Sequence, residues 1–184
     1  MPSGACIIVA NHVNLLDSPI LGINMGRRIF FMAKEELFGS RFLSFFALRF
    51  GAFPVRKGRL DRRAGKTALD HLNKGDALVV FPEGKRSADG RLGPAYGGAA
   101  LLARRTGVPI VPVGITGTGS LTGKTWPLKR PQVRLNIGTP FTIRYGDDKL
   151  SREATAGYTR EIMLEVAAQL PPEYQGRYRI ETSS

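Results

Sequence analysis

Cys6-Ile7-Ile8-Val9-Ala10-Asn11-His12-Val13-Asn14-Leu15-Leu16-Asp17-Ser18-Pro19 is the stretch from which the fold is read. Its first five residues are apolar and rich in β-branched side chains, as in a strand buried on both faces. Ser18-Pro19-Ile20-Leu21 reads as the first turn of a helix, with Asp17 as its N-cap and proline where a missing N–H costs little. A strand that passes through a short loop into a helix opens an α/β unit. It also sets His12 just beyond a strand's carboxyl end, where open α/β sheets bind ligands.

Outward from this corner the pattern repeats. Helix is expected over 19–25, strand over 28–33, and a helix that is apolar nearly all round over 35–50. Residues 52–55 read as a short strand and 61–73 as a helix ended by Gly75. His71 is placed on that helix facing water, with no role. Residues 77–81 form a clear buried strand, 96–106 a helix of small residues closed by Gly107, and 108–114 a strand. The two prolines of that strand suggest an edge or bent position. Strand 133–137 and helix 151–170 follow, the latter stopped by Pro171-Pro172. No repeat or linker divides the chain. The expectation is therefore an α/β fold, a mostly parallel central sheet flanked by helices, in a single domain over 1–184. Three loops then gather at one sheet edge: those carrying His12, Arg56 and Glu83.

Five residues along an unbroken helix turn a side chain about 140° away, so His12 and Asp17 would not meet on one helix. A strand–loop–helix corner lets the carboxylate fold back onto the ring. It would then fix the tautomer and leave the other ring nitrogen free to take a proton. The spacing alone is weak. With two histidines and seven aspartates, chance places an aspartate at the fifth position after some histidine roughly 8% of the time.

The charge narrows the partners. Lys and Arg number 27 against 15 Asp and Glu, a net +12. Residues 27–66 hold eleven basic and three acidic side chains, and eight of the ten phenylalanines. Such a stretch suits anionic lipid, or a pocket for a fatty chain with a phosphate at its mouth. Basic charge alone would equally serve a non-catalytic lipid- or nucleic-acid-binding module. One cysteine excludes an intrachain disulfide, and two histidines with one cysteine cannot build a Cys/His zinc site of the usual kind. No metal ligand is assigned. No apolar run approaches a membrane span. Gly119-x-x-x-Gly123-Lys124-Thr125 is one residue short of a phosphate-binding loop, and no G-x-S-x-G elbow occurs.

The loops as a set resemble the glycerolipid acyltransferase family, the glycerol-3-phosphate and lysophosphatidate acyltransferases of phospholipid synthesis. Asn11-His12 with Asp17 is similar to its H-x4-D block. Phe53-Pro54-Val55-Arg56-Lys57-Gly58 resembles the second block, Phe81-Pro82-Glu83-Gly84-Lys85-Arg86-Ser87 the third, and Ile110-Val111-Pro112-Val113 the fourth. The resemblance spans nearly the whole chain, with the blocks in order. It implies an O-acyltransferase that moves a fatty acyl group from acyl-CoA or acyl-carrier protein to the free hydroxyl of lysophosphatidate, or of glycerol 3-phosphate or another lysolipid. No cofactor beyond that co-substrate is implied. His12 would be the general base, oriented by Asp17. Arg56, with Arg86 and Lys57, would hold the acceptor phosphate. Gly58 would belong to the same substrate-binding set, Gly84 would let backbone approach the ligand, and Glu83 would bind an acceptor hydroxyl or anchor an arginine. Pro112 would shape the wall on the donor side.

Lys85 stands where threonine is frequent in this family, which adds charge near the phosphate. Family members carry a membrane-binding segment ahead of the first block, which here begins at residue 11. The expectation is a fragment, or a chain that docks on an anionic membrane by another surface, with residues 38–50 supplying part of it. The implied location is cytoplasmic and peripheral at the membrane, with no nucleic acid as partner.

Overall fold

The computed structural model describes residues 1–55, 62–122, 131–145 and 151–179, the side chains of Leu43 and Arg62 excepted. The chain runs β1 (Cys6–Ala10), α1 (Asp17–Asn24), β2 (Ile29–Lys34), a 3-10 turn (Glu35–Gly39), α2 (Arg41–Arg49) and β3 (Ala52–Val55). It continues through α3 (Arg62–Asn73), β4 (Ala77–Val80), α4 (Gly98–Thr106), β5 (Ile110–Thr116), β6 (Arg134–Ile137) and α5 (Arg152–Ala168). The described strands form one sheet in the order β3-β2-β4-β1-β5-β6, parallel except for antiparallel β6.

β1 lies at the heart of this sheet, paired in register with β4 (Ile8 opposite Val79) and β5 (Ile8 opposite Val111). All five of its residues are fully buried. Ile7 and Val9 point into a core with α3, α4 and α5. Cys6, Ile8 and Ala10 point into the opposite core with Leu21 of α1, Met25 just past its end and Ala47 of α2. This alternation is the period of two that a strand imposes. Full burial of each Ile or Val is worth about 1.5–3 kcal/mol.

Winding explains the two layers. From β1 the chain steps to β2 and then β3 in one direction, and returns to β4 and β5 in the other. Right-handed crossovers of opposite direction place their helices on opposite faces. Hence α1 and α2 cover one face, α3 and α4 the other. The reversal leaves a crevice between the carboxyl ends of β1 and β4, the kind of switch point where α/β sheets bind ligands.

Three expectations change. The helix expected over 35–50 is two pieces, because Ser40 takes an extended conformation (φ −95°, ψ 124°) between the 3-10 turn and α2. The proline-containing strand is not at the edge, since β6 lies outside it. Pro112 is tolerated because the backbone of Ile110 and Pro112 faces away from β1. Pro112 C=O accepts from Gly138 N–H at 2.9 Å, and Ile110 exchanges two bonds with Phe141. Third, Asp17 does not cap α1. Leu16 holds that position and gives no side-chain cap bond.

Candidate active site

Where β1 ends, the Asn11 side chain prolongs its ladder to β5. Asn11 Nδ2 donates to Ile115 C=O at 2.8 Å, and Asn11 Oδ1 accepts from Ile115 N–H at 2.7 Å. Asn11 is buried, so this pair fixes the root of the next loop without leaving a polar group unpaired. The loop is then wound around one carboxylate oxygen. Asp17 Oδ2 accepts from Val13 N–H at 2.7 Å and Asn14 N–H at 2.8 Å, and lies 2.8 Å from His12 Nδ1. Asp17 is fully buried; the His12 side chain is 18% exposed. With Nδ1 taken as the protonated nitrogen, the ring donates to Asp17 and Nε2 is left for another partner. Asn14 ties the far side of the loop to Thr118 and Leu121 C=O, at 3.1 and 3.2 Å.

The loop after β4 supports the histidine from the other side. The Phe81 ring stacks on the imidazole, with centroids 4.2 Å apart. Glu83 is buried. Its Oε1 accepts from His12 N–H at 3.2 Å and its Oε2 from Gly93 N–H at 3.0 Å. Ser87 N–H donates to His12 C=O at 2.7 Å. Glu83 thus braces the His12 backbone, a use that the residue types alone did not disclose. Burial pushes its carboxyl above the usual range, against the lowering effect of the bonds from Gly93 and His12. Gly84 turns the chain at φ +63°, and an added Cβ would come 3.1 Å from the Tyr96 ring.

Other expected residues fall differently. Arg86 is exposed on the same loop. Pro112 is buried in mid-strand, level with Val9 and upstream of the His12 loop, not at the sheet edge. Arg56, Lys57 and Gly58 lie outside the described residues. β3, which leads to them, runs parallel to its neighbours and ends at the edge that carries His12. It ends three strand spacings from β1, about 14 Å. A cleft of about 330 Å³ opens beside the His12 loop, lined by Val13, Asp89, Thr116, Thr118 and Tyr174 among others. Among the described residues no three His, Cys, Asp or Glu side chains are grouped to hold a metal ion.

His71 also differs from expectation. It stacks on Phe30 at 3.9 Å, and its Nδ1 lies 2.8 Å from Asp76 Oδ2. Both histidines therefore carry an aspartate five residues on, a repetition visible in the sequence. The second pair sits between α3 and the start of β4, at the opposite edge of the sheet.

A family model described as Acyltransferase matches residues 1–116. The chain belongs to the acyltransferase family. Within that family, this acyltransferase-family chain is 36% identical to a chloroplastic 1-acyl-sn-glycerol-3-phosphate acyltransferase of Brassica napus, over 74% of its own length and 40% of the relative's. It is 34% identical to the 1-acyl-sn-glycerol-3-phosphate acyltransferase of Streptococcus pneumoniae, over 74% of its length and 50% of the relative's. The crystal structure of PlsC, the 1-acyl-sn-glycerophosphate (LPA) acyltransferase of Thermotoga maritima, superposes with a TM-score of 0.69 at 29% identity. That alignment covers 92% of this chain and 66% of the other. The chain thus spans about two-fifths to two-thirds of the length of these relatives.

Proposed function

We propose that the chain transfers a fatty acyl group from a thioester donor, acyl-CoA or acyl-carrier protein, to the free hydroxyl of a lysophosphatidate. The observation that carries this reading is the 2.8 Å contact between His12 Nδ1 and Asp17 Oδ2 in a braced loop at the sheet's switch point. The names of the relatives supply the substrate class. Nε2 of His12 takes the hydroxyl proton as the oxygen attacks the thioester carbonyl. The C–O bond forms, the tetrahedral intermediate collapses, and the C–S bond breaks. The imidazolium, held by Asp17, returns its proton to the departing thiolate. No acyl-enzyme forms.

Arg86, and Arg56 with Lys57 beyond the end of β3, hold the acceptor phosphate by paired charge-assisted bonds. The cleft beside Val13 takes the donor's arm; its size is within the range of small-molecule sites. Glu83 positions His12, so it need not touch the acceptor. Since the acceptor is a lipid, the reaction takes place at the surface of a membrane. Among the described residues no helix is long and apolar enough to cross one. The test is thiol release from palmitoyl-CoA with lysophosphatidate and glycerol 3-phosphate as acceptors. Acceptor-dependent release that falls by about 10²–10⁴ in His12→Ala is expected. Release that is absent with every phosphorylated acceptor, or that survives His12→Ala, overturns the reading.

A further inference from the structure

The described residues include ten exposed large apolar side chains, and five of them fall between Phe42 and Phe50. Phe42 is 70% exposed, Phe45 65%, Leu48 54%, Phe46 44% and Phe50 41%. Their rings pack on one another on the solvent side: Phe42 on Phe46 with centroids 4.8 Å apart, Phe45 on Phe46 at 5.6 Å. An isolated exposed Leu or Phe is ordinary; a contiguous cluster marks an interaction surface. The cluster continues onto α1. Phe50 Cδ1 lies 3.7 Å from where a Cβ on Gly22 would stand, and the next residue, Ile23, is 74% exposed.

Charge identifies what covers this face. Arg41 and Arg49 are exposed on the same helix, interleaved with the phenylalanines. From Ser40 to Leu60 there is no acidic residue and there are five basic ones. Against a second protein surface the two arginines would be buried and need carboxylate partners. Against a bilayer their stems lie along the acyl boundary and their guanidinium groups reach lipid phosphates, while phenyl rings insert below the headgroups. We propose that the exposed face of α2, with Ile23 of α1, docks the chain on an anionic lipid bilayer. Arg41 opens α2 at the sheet edge that carries His12, and Leu15, 59% exposed, projects from the His12 loop itself. The Arg41 end of the docked face therefore lies at the edge of the candidate active site. The proposal rests on the lipid-acylation reading for its purpose, but the outcomes that overturn it are read from vesicle binding and oligomeric state, not from acyl transfer.

The test is co-flotation with vesicles of phosphatidylcholine, with and without phosphatidylglycerol. The unaltered chain should float with the anionic vesicles and lose binding as salt is raised. Phe42→Ser/Phe45→Ser/Phe46→Ser should weaken vesicle binding on the order of 100-fold. Its turnover of a short-chain lysophosphatidate below the micellar concentration should stay unchanged. A Phe45→Trp probe in a Trp126→Phe background keeps the apolar face and should shift its fluorescence to the blue on adding anionic vesicles. The proposal is overturned by triple-variant flotation equal to the parent's, or by a probe that does not respond. It is also overturned if the unaltered chain ignores vesicles and is a dimer that the triple substitution dissociates, because a second copy then covers the face. A chain that floats as expected yet transfers no acyl group would count against the function proposed above and leave this surface standing.

Discussion

Asp17 is placed so that one oxygen serves the loop and the ring together. Replacing it by asparagine sets an amide against three N–H groups that now share Oδ2. Asp17→Asn should lower kcat about 10²–10³-fold with little change in KM for the acceptor, measured by thiol release. Retention of kcat within about tenfold would remove Asp17 from the mechanism. Glu83→Gln makes a different demand, because the new NH₂ must face either His12 N–H or Gly93 N–H. Its unpaired contact should cost about 1–3 kcal/mol, with kcat falling more than acceptor KM rises. Glu83 also predicts a pH effect. Its native carboxyl is raised by burial, so the unfolded chain loses this proton first as pH rises. The associated stability is fully present below the ordinary carboxylate range and is lost as pH climbs through the raised native value. Denaturant melts at stepped pH should show that decline in the parent and a flatter profile in Glu83→Gln. At this scale the sequence disclosed the partners His12 and Asp17 through a strand–loop–helix corner. It did not disclose Asn11 or the bracing by Glu83, because both act on backbone groups of residues tens of positions away.

Among the elements, the junction of β1 with β5 depends on a side chain where the backbone ladder stops. Asn11→Ala strips partners from both the N–H and the C=O of Ile115. A loss of about 2–4 kcal/mol in unfolding free energy is expected, checked by urea titration. The loop carrying His12 would lose its root at the same time, so turnover should fall with stability. Most elements were legible from runs such as Ala77-Leu78-Val79-Val80 and from helical spacing in 61–73. The exceptions have local causes. Ser40 breaks the 35–50 segment by adopting an extended backbone, although apolar residues resume directly after Gly39-Ser40-Arg41. The inner position of β5 was hidden because its prolines argue for an edge. Only the pairing shows that Pro112 needs no N–H on the side it faces.

For the molecule as a whole, α/β class and a parallel sheet follow from alternation along the chain, whereas strand order does not. The reversal between β3 and β4 is a long-range fact of packing, and it creates the crevice in which the first and third sequence blocks meet. The second block's Arg56, Lys57 and Gly58 lie outside the described residues, so that convergence is seen for two of the three loops. The same global view separates two histidines that are chemically alike. His71 and Asp76 repeat the 2.8 Å contact and the stacked phenylalanine of His12 and Asp17, but at the amino end of the strands. His71→Ala should therefore lower thermal stability, by removing a ring packed on Phe30, and leave the acyl-transfer rate of the folded chain intact. The polypeptide thus carries its own negative control. An imidazole-directed reagent that silences the protein only after the first ring is modified, with the second already consumed, would assign reactivity to location in the fold instead of to the dyad as such.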